Sequence, residues 1–195
     1  MSLEGKRIGW GITGSLCNLH RIWPQVERVL AAGAVVVPVV SQVVQSTDSR
    51  FGKAADTMQR VRTLTGQEPV VSMAQAEGFG PSHPVDLMVV APCTGNTMAR
   101  IAHAITDGPV TMAVKATLRN GRPVLLALSS NDALGLGARN LGILLAARHF
   151  YFVPFGQDNP TGKPTSLDAD LELLLPAIEA ALEGRQLQPL LVARC

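Results

Sequence analysis

VDLMVVAPCTGNTMARIAHAITD, residues 85–107, is the most informative stretch of the chain. Its apolar run at 87–91 contains β-branched side chains, which is typical of a strand buried on both faces of a parallel sheet. Pro92 cannot donate a ladder hydrogen bond, so we expect the strand to end there. A loop of small polar residues at 93–97 then leads to apolar residues at helical spacing up to Ile105. The stretch therefore predicts a strand, a polar loop and a helix in succession.

The same alternation extends over the rest of the chain. Further strands are predicted at 6–12, 34–40, 122–128 and 150–153, and helices at 16–30, 54–64, 109–118, 133–148 and 166–182. Pro24 lies inside the first of these helices and favours a break or kink, whereas 42–53 is polar and is expected to be a loop. Strands that alternate with helices predict a parallel sheet covered on both faces. We therefore expect residues 1–195 to form a single α/β domain, a three-layer Rossmann-like or flavodoxin-like sandwich.

Composition excludes several classes of protein. A net charge of +2 without a Lys/Arg cluster provides no electrostatic surface for a nucleic acid or a membrane. We expect a cytoplasmic protein, because the sequence starts without an apolar signal segment and has no run that could span a membrane. The three cysteines form no CxxC pair, which disfavours a metal site or structural disulfides. Because only 16% of the residues are charged and the tail at 187–192 is apolar, we expect a homo-oligomer.

Polar loops follow the strands that end near Ile12, Val40, Ala91 and Leu128. The carboxyl ends of parallel strands meet at one edge of the sheet, where open α/β proteins bind ligands. Glycine, hydroxyl and amide groups beside the free N–H groups of a helix suit a phosphate and the polar edge of a planar ring. Two plainer alternatives stay open, in which Thr94 and Asn96 only cap a helix and Ser41 is an ordinary turn residue.

A nucleophile with an adjacent base is not evident in these loops. Cys93 has no lysine or histidine close to it in the sequence, so we interpret it as a packing residue and not as a catalytic thiolate. His103 follows the loop on the predicted helix and is interpreted as a surface or interface residue.

The run APCTGNT at 91–97, closing on AITD at 104–107, resembles the signature of a flavin-binding family. This family includes phosphopantothenoylcysteine decarboxylase, the lantibiotic-peptide cysteine decarboxylases and the flavin prenyltransferases. Asp107 corresponds to the closing acid of the signature, with an ordinary solvated carboxylate as the alternative. Similar segments lie at 11–15, 45–53, 115–121, 130–136 and 153–158, so the resemblance covers nearly the whole chain.

The resemblance implies a site for flavin mononucleotide (FMN) at the polar loops. It implies FMN contacts for Thr13, Gly14, Ser15, Ser41, Thr94, Gly95, Asn96 and Thr97, to which we add Ser130 of the loop after the fourth strand. Asn96 corresponds to an asparagine that lies near the substrate in the cysteine decarboxylases, and we assign it a catalytic role. The resemblance also implies a trimer or a multiple of trimers.

Two departures from the family argue against its decarboxylase and prenyltransferase activities. Residues 41–59 contain no counterpart of the decarboxylases' catalytic histidine, and SSNDALGL at 129–136 lacks the prenyltransferases' arginine. The whole chain is more similar to the flavoprotein component of a two-subunit dehydrogenase, which implies a nicotinamide-dependent partner subunit and a small dicarboxylate substrate. A cation would help to bind that dianion, and the candidates are Arg50, Lys53, Lys115 and Arg119, each with an ordinary solvated surface charge as the alternative. We favour Arg50 because it lies in a loop at the edge of the sheet. A flavin-dependent decarboxylase and a non-catalytic partner subunit stay open as alternatives.

Overall fold

The computed structural model describes residues 3–193 and contains a seven-stranded sheet. Its strands are β1 (Arg7–Ile12), β2 (Val35–Val40), β3 (Leu87–Thr94), β4 (Val124–Ser130), β5 (Phe150–Phe152), β6 (Phe155–Gly156) and β7 (Leu167–Ala169). They follow the order β2-β1-β3-β4-β7-β6, and β5 pairs with β4. The pairs among β1 to β5 are parallel, whereas β7 is antiparallel to both β4 and β6. The expected α/β class is confirmed, but the sheet is mixed and not wholly parallel.

The α-helices lie between and after these strands. They are α1 (Leu19–Ala31), α2 (Gln42–Ser46), α3 (Ala54–Thr65), α4 (Met73–Glu77), α5 (Gly95–Ala102), α6 (Pro109–Arg119), α7 (Ala138–Leu145) and α8 (Leu174–Leu182). Short 3₁₀ helices at Leu16–Asn18 and Leu171–Leu173 lead into α1 and α8. Among residues 3–193, no helix has the length and apolar character needed to cross a bilayer.

The helices cover both faces of the sheet, and a hydrophobic cluster lies on each side. Side chains of β3 alternate between the two clusters, because successive residues of a strand point to opposite faces. Leu87 and Val89 pack with α1, α3 and α8, whereas Met88 and Val90 pack with α4 to α7. The layered sandwich expected from the alternating pattern is therefore confirmed.

The central strand β3 continues past Pro92, so the predicted end of this strand was wrong. The pairing of β3 with β4 shifts register between Val90 and Cys93 and then resumes with Cys93 opposite Leu128. The proline, which has no N–H group, lies within this irregularity and therefore interrupts the ladder without ending the strand. As a result β3 runs directly into α5, which begins at Gly95.

The break allowed for at Pro24 is absent, and the loop predicted for all of 42–53 was wrong. α1 runs without a break through Pro24, whose neighbours Ile22, Trp23 and Val26 are buried against the sheet. Tertiary packing of this apolar face stabilises the helix despite the one hydrogen bond that proline removes. The segment 42–53 is not entirely a loop, because its first five residues form α2.

The helix predicted to begin at residue 133 begins only at Ala138. Residues 131–137 form turns, in which the N–H groups of Gly135 and Gly137 both donate to Asp132 O. Glycine favours such turns over a helix because its backbone loses more conformational freedom in a helix than that of any other residue.

The last helix, predicted from residue 166, begins only at Leu174 because Leu167–Ala169 pairs with β4 and β6 as β7. The apolar tail packs against the same chain, as expected for a tail of this composition. The Phe155 N–H donates to Leu190 O at 3.0 Å, and the Val192 N–H donates to Phe155 O at 3.0 Å.

Candidate functional site

Thr13 connects the loop after β1 to the end of β3. Its Oγ1 donates a hydrogen bond to Pro92 O at 2.6 Å and accepts one from the Thr94 N–H at 3.2 Å. The side chain is buried, so the hydroxyl is turned inward and is engaged by the protein. Thr13 therefore fixes the distance between two of the polar loops.

Ser15 connects the same loop to the end of β4. Ser15 Oγ lies 3.0 Å from Ser129 Oγ, and Asn18 Nδ2 donates to both oxygens, at 3.2 Å to Ser15 and 2.7 Å to Ser129. Ser15 and Ser130 line a cavity of about 260 Å³ between the loops after β1 and β4, which we call the polar cavity.

A separate cavity of about 230 Å³, the loop cavity, opens beside the loops after β1, β2 and β3. Five residues predicted for the site line it, namely Gly14, Ser41, Thr94, Asn96 and Thr97. Gly14 allows the loops after β1 and β2 to approach closely, because a Cβ atom at this position would lie 3.0 Å from Val43 Cγ1. The structure therefore places these five residues at one cavity and Ser15 and Ser130 at another, whereas Thr13, Gly95 and Arg50 line neither.

The N-terminus of α5 opens onto the loop cavity, and Thr94 caps it. Thr94 Oγ1 accepts a hydrogen bond from the Thr97 N–H at 3.3 Å, so the capping interpretation is confirmed for Thr94. Asn96 is not the cap. Its side chain is exposed and has no hydrogen-bond partner among residues 3–193. The Asn96 amide is therefore free to bind a ligand in the loop cavity.

Ser41 presents a buried hydroxyl without a partner. It follows β2, and its backbone N–H donates to Ile12 O at 3.1 Å. Its Oγ is inaccessible to solvent and forms no hydrogen bond within the described part of the chain. Leaving such a group unpaired costs about 1–3 kcal/mol, which a ligand oxygen in the loop cavity would recover once rotation about χ1 turns the hydroxyl towards the cavity.

Gly95 allows α5 to approach closely the end of β4 and the loop that follows it. A Cβ atom at this position would lie 2.6 Å from Ser130 Oγ and 2.9 Å from Asp132 Oδ1. Ser130 Oγ is itself held there, because it donates to Asp132 Oδ1 at 2.7 Å. Gly95 and Ser130 therefore contact each other, although Ser130 faces the polar cavity.

The loop cavity has few charges. Arg100 Nε and Asp107 Oδ2 form an ion pair of 3.0 Å at its edge, and the other lining residues are uncharged. Asp107 is therefore a paired carboxylate and not a purely solvated one. Among residues 3–193, no group of three His, Cys, Asp or Glu side chains could hold a metal ion.

Cys93 is a packing residue, as the sequence predicted. Its side chain is fully buried, and burial raises the pKa of the thiol to about 12. The thiol is therefore neutral at physiological pH and cannot act as a thiolate nucleophile. His103 is exposed, with Nε2 3.0 Å from Asn140 Oδ1.

Arg50 lies apart from the other predicted site residues. It is exposed in a tight turn in which Ser49 and Gly52 exchange backbone hydrogen bonds of 3.0 and 3.1 Å. Its guanidinium carbon lies 4.8 Å from the centroid of the Phe51 ring. The structure therefore does not bring Arg50 to the cavity that Asn96 lines.

Several lining residues were missed by the sequence analysis. Gln42 and Arg100 line the loop cavity, and Arg21 and Asp168 line the polar cavity, where they form an ion pair of 2.7 Å. Gln42 is the first residue of the predicted loop at 42–53, directly after Ser41, and Arg100 closely follows the predicted loop at 93–97, so both could have been found from their positions in the sequence. Asp168 could not, because its strand had been interpreted as part of a helix.

Comparisons with known proteins agree with this architecture. Residues 1–140 match the family model described as Flavoprotein. The chain is 51% identical over 191 residues to the B subunit of dipicolinate synthase of Bacillus subtilis (strain 168), and the match covers 98% of this chain and 96% of that protein. The crystal structure of the corresponding B subunit from Bacillus halodurans C superposes with a TM-score of 0.93 at 49% identity and covers 100% of both chains. The FMN-dependent cysteine decarboxylase SpaF shares the fold, with a TM-score of 0.65 at 19% identity over 93% of this chain and 97% of its own.

Proposed function

The chain belongs to the flavoprotein family, and from this we propose that it binds FMN as one component of a dipicolinate synthase. Acting with a nicotinamide-dependent A subunit, it dehydrogenates a dihydrodipicolinate-type precursor to dipicolinate during sporulation. The observation that carries the FMN proposal is the buried hydroxyl of Ser41, which lines the loop cavity without a protein partner. A phosphate or ribityl oxygen at this position supplies the missing hydrogen bond.

The loop cavity provides donors that suit a phosphate. The first N–H groups of α5 have no partner within the helix, and the N-terminus that carries them opens onto the loop cavity. Arg100 adds a cation at the edge, although Asp107 neutralises part of its charge. A donor set of this kind, mostly neutral and rich in hydroxyls, fits a ligand whose charge is confined to one end.

Bound FMN supplies two-electron redox chemistry at its ring. The residues of this chain bind FMN and the substrate and orient the two relative to each other. Asn96 carries a donor and an acceptor on one exposed amide, so it can contact the ring edge and a substrate carboxylate together. Cys93 is protonated and Asp107 is paired with Arg100, so neither is a free base. We therefore assign substrate positioning, and not proton transfer, to the loop cavity.

Arg50 does not line the loop cavity, and we propose it as a cation outside that cavity that attracts the dicarboxylate substrate. Its guanidinium is exposed and stacks on Phe51, an arrangement that leaves its hydrogen-bond donors free for a carboxylate. The relative in Bacillus subtilis is named as one of the lettered subunits of its enzyme, which supports a partner subunit for this chain. A substrate held between the two subunits would contact that partner as well as Arg50.

We also propose a homo-oligomer, a trimer or a multiple of trimers. Leu136, Ile143 and Leu145 lie on or next to α7 and are 85%, 44% and 45% exposed. Exposed apolar side chains of this size, together with the low charged fraction of the sequence, favour a surface that another copy of the chain covers.

The proposal is tested by purification, titration and reconstitution. We expect the purified chain to bind FMN with a perturbed visible spectrum, and to form dipicolinate from the precursor only together with the A subunit. FMN-free preparations of the same chain serve as the control. Dipicolinate formation at an unchanged rate without FMN would contradict a role for the flavin, and activity of the A subunit alone would contradict the two-subunit assignment.

A further inference from the structure

A further cavity lies away from the loop cavity, on the other side of α2. We call it the helix cavity; it has a volume of about 400 Å³, is open to solvent and is bordered by α1 with its preceding 3₁₀ helix, α2, α3 and residues 47–53. None of its lining residues lines the loop cavity. Val43 of α2 faces the loop cavity, whereas its neighbour Val44 faces the helix cavity. The volume is in the range typical of small-molecule sites.

One wall of the helix cavity is mainly apolar. It is formed by the start of α1 and the preceding 3₁₀ helix, through Leu16, Leu19, His20 and Trp23. These positions recur at i, i+3, i+4 and i+7, so they form one face of a helix. The wall therefore offers a flat apolar surface to one side of a ligand.

The residues of the opposite wall recur at the same helical spacing, but their side chains are polar. It is formed by Lys53 and the first turns of α3, through Asp56, Thr57 and Arg60. Two helices that face each other normally close the gap between them with apolar side chains. Here a polar face lies opposite an apolar one, and the gap stays open as a cavity.

The charges of the polar wall are not used by the protein. Within residues 3–193, the Lys53 ammonium and the Asp56 carboxylate have no hydrogen-bond or ion-pair partner. Arg60 contacts only the Trp23 ring, with its guanidinium carbon 5.4 Å from the ring centroid. Two cations and one anion thus face the helix cavity, and their combined field favours an anionic ligand.

The turn at 49–52 lies at the entrance of the helix cavity. Phe51, 54% exposed, lines the cavity from this turn, next to Ser49. Asp48 Oδ1 accepts a hydrogen bond from the Ala54 N–H at 2.9 Å and so fixes the turn to the start of α3. An aromatic ring is therefore held at the entrance, where it can stack on a planar ligand.

We propose that the helix cavity binds a planar aromatic dicarboxylate, with its ring between Phe51 and the apolar wall and its carboxylates on Lys53 and Arg60. The two unlike walls match a ring whose charges lie along one edge. The choice of a pyridine dicarboxylate among such ligands rests on the proposed function. Because α2 separates the two cavities, this ligand is bound apart from FMN, as the product of the proposed reaction.

Calorimetric titration of the purified chain with dipicolinate at constant ionic strength tests the site. We expect Lys53→Gln and Arg60→Gln each to weaken dipicolinate binding by about tenfold, the loss that accompanies one partly exposed charged hydrogen bond. We expect Asp56→Asn to strengthen it several-fold, because it removes a like charge. Arg62→Gln is the matched control, since Arg62 lies on the same helix and pairs with Glu68 at 3.0 Å outside the cavity.

The outcomes separate this site from the FMN site. Unchanged FMN titrations in all four variants are expected, so a failure of FMN binding would concern the proposed function alone. Dipicolinate binding that is lost in Asn96→Asp but retained in Lys53→Gln would place the ligand in the loop cavity and overturn the inference. Equal competition by inorganic phosphate or acetate, which have no aromatic ring, would also overturn it by showing a general anion site.

Discussion

Ser41 has a buried hydroxyl that no group in the described part of the chain bonds to. Its Oγ is buried and unpaired, and a hydrogen bond to a charged phosphate contributes about 1.5–3 kcal/mol. We therefore expect Ser41→Ala to raise the Kd for FMN by roughly tenfold to 150-fold. Ser15→Ala should raise it less, because the Ser15 hydroxyl already bonds to Ser129 and Asn18. Fluorescence titration with FMN measures both effects.

Riboflavin, which has no phosphate, is the control for this prediction. It should bind to the wild type and to Ser41→Ala with the same affinity if Ser41 contacts the phosphate. An equal loss for riboflavin and FMN would instead assign Ser41 to the ribityl chain or the ring.

Asn96 allows capping and ligand binding to be separated at a single position. Because Thr94 is the cap, Asn96 lies in the first turn of α5, where a negative charge is stabilised by the helix dipole. Asn96→Asp should therefore leave Tm unchanged or slightly higher. In the reconstituted pair it should abolish dipicolinate formation, because the aspartate repels a dianionic substrate. Activity close to that of the wild type would remove Asn96 from the site.

At the scale of elements, the contact between α5 and the loop after β4 depends on Gly95. An alanine there places Cβ 2.6 Å from Ser130 Oγ, and such overpacking costs about 1–3 kcal/mol. We expect Gly95→Ala to lower Tm by roughly 2–12 °C in thermal unfolding. The added Ser130→Ala substitution should restore part of the loss, because it removes the nearest clashing atom.

Gly142 provides the matched control in α7. Nothing lies within 4 Å of a Cβ atom built at this helical position. Gly142→Ala should therefore raise the stability by about 0.5–1 kcal/mol, through helix propensity alone. A Gly95→Ala variant that is stabilised to the same extent would show that α5 and the loop after β4 are not in close contact.

At the scale of the whole molecule, the apolar side chains around α7 predict self-association. Leu136 is 85% exposed, and a monomer would leave it in water together with Ile143 and Leu145. We expect light scattering at micromolar concentration to give a trimer or a multiple of trimers. Leu136→Asp should shift the mass towards the monomer, because it places a charge in the buried contact. A wild-type mass equal to that of one chain would contradict the prediction.

Local patterns in the sequence determined the elements and the edge of the sheet at which the site lies. Apolar runs with β-branched residues located β1 to β5, and the small polar residues after four of them located the loops, because both signals depend on neighbours along the chain. The packing character of Cys93 and the cap at Thr94 were likewise available from sequence.

Tertiary structure alone decided how these pieces meet. The passage of β3 through Pro92 depends on register against β4, and β7 exists only because residues distant in sequence pair with it. Ser41 and Asn96 line one cavity, and Ser15 and Ser130 line another, because different loops are adjacent at the two places. The helix cavity likewise exists only because α1 and α3 face each other in the folded chain. Such contacts depend on the packing of segments that are far apart in sequence, which propensity and periodicity do not encode.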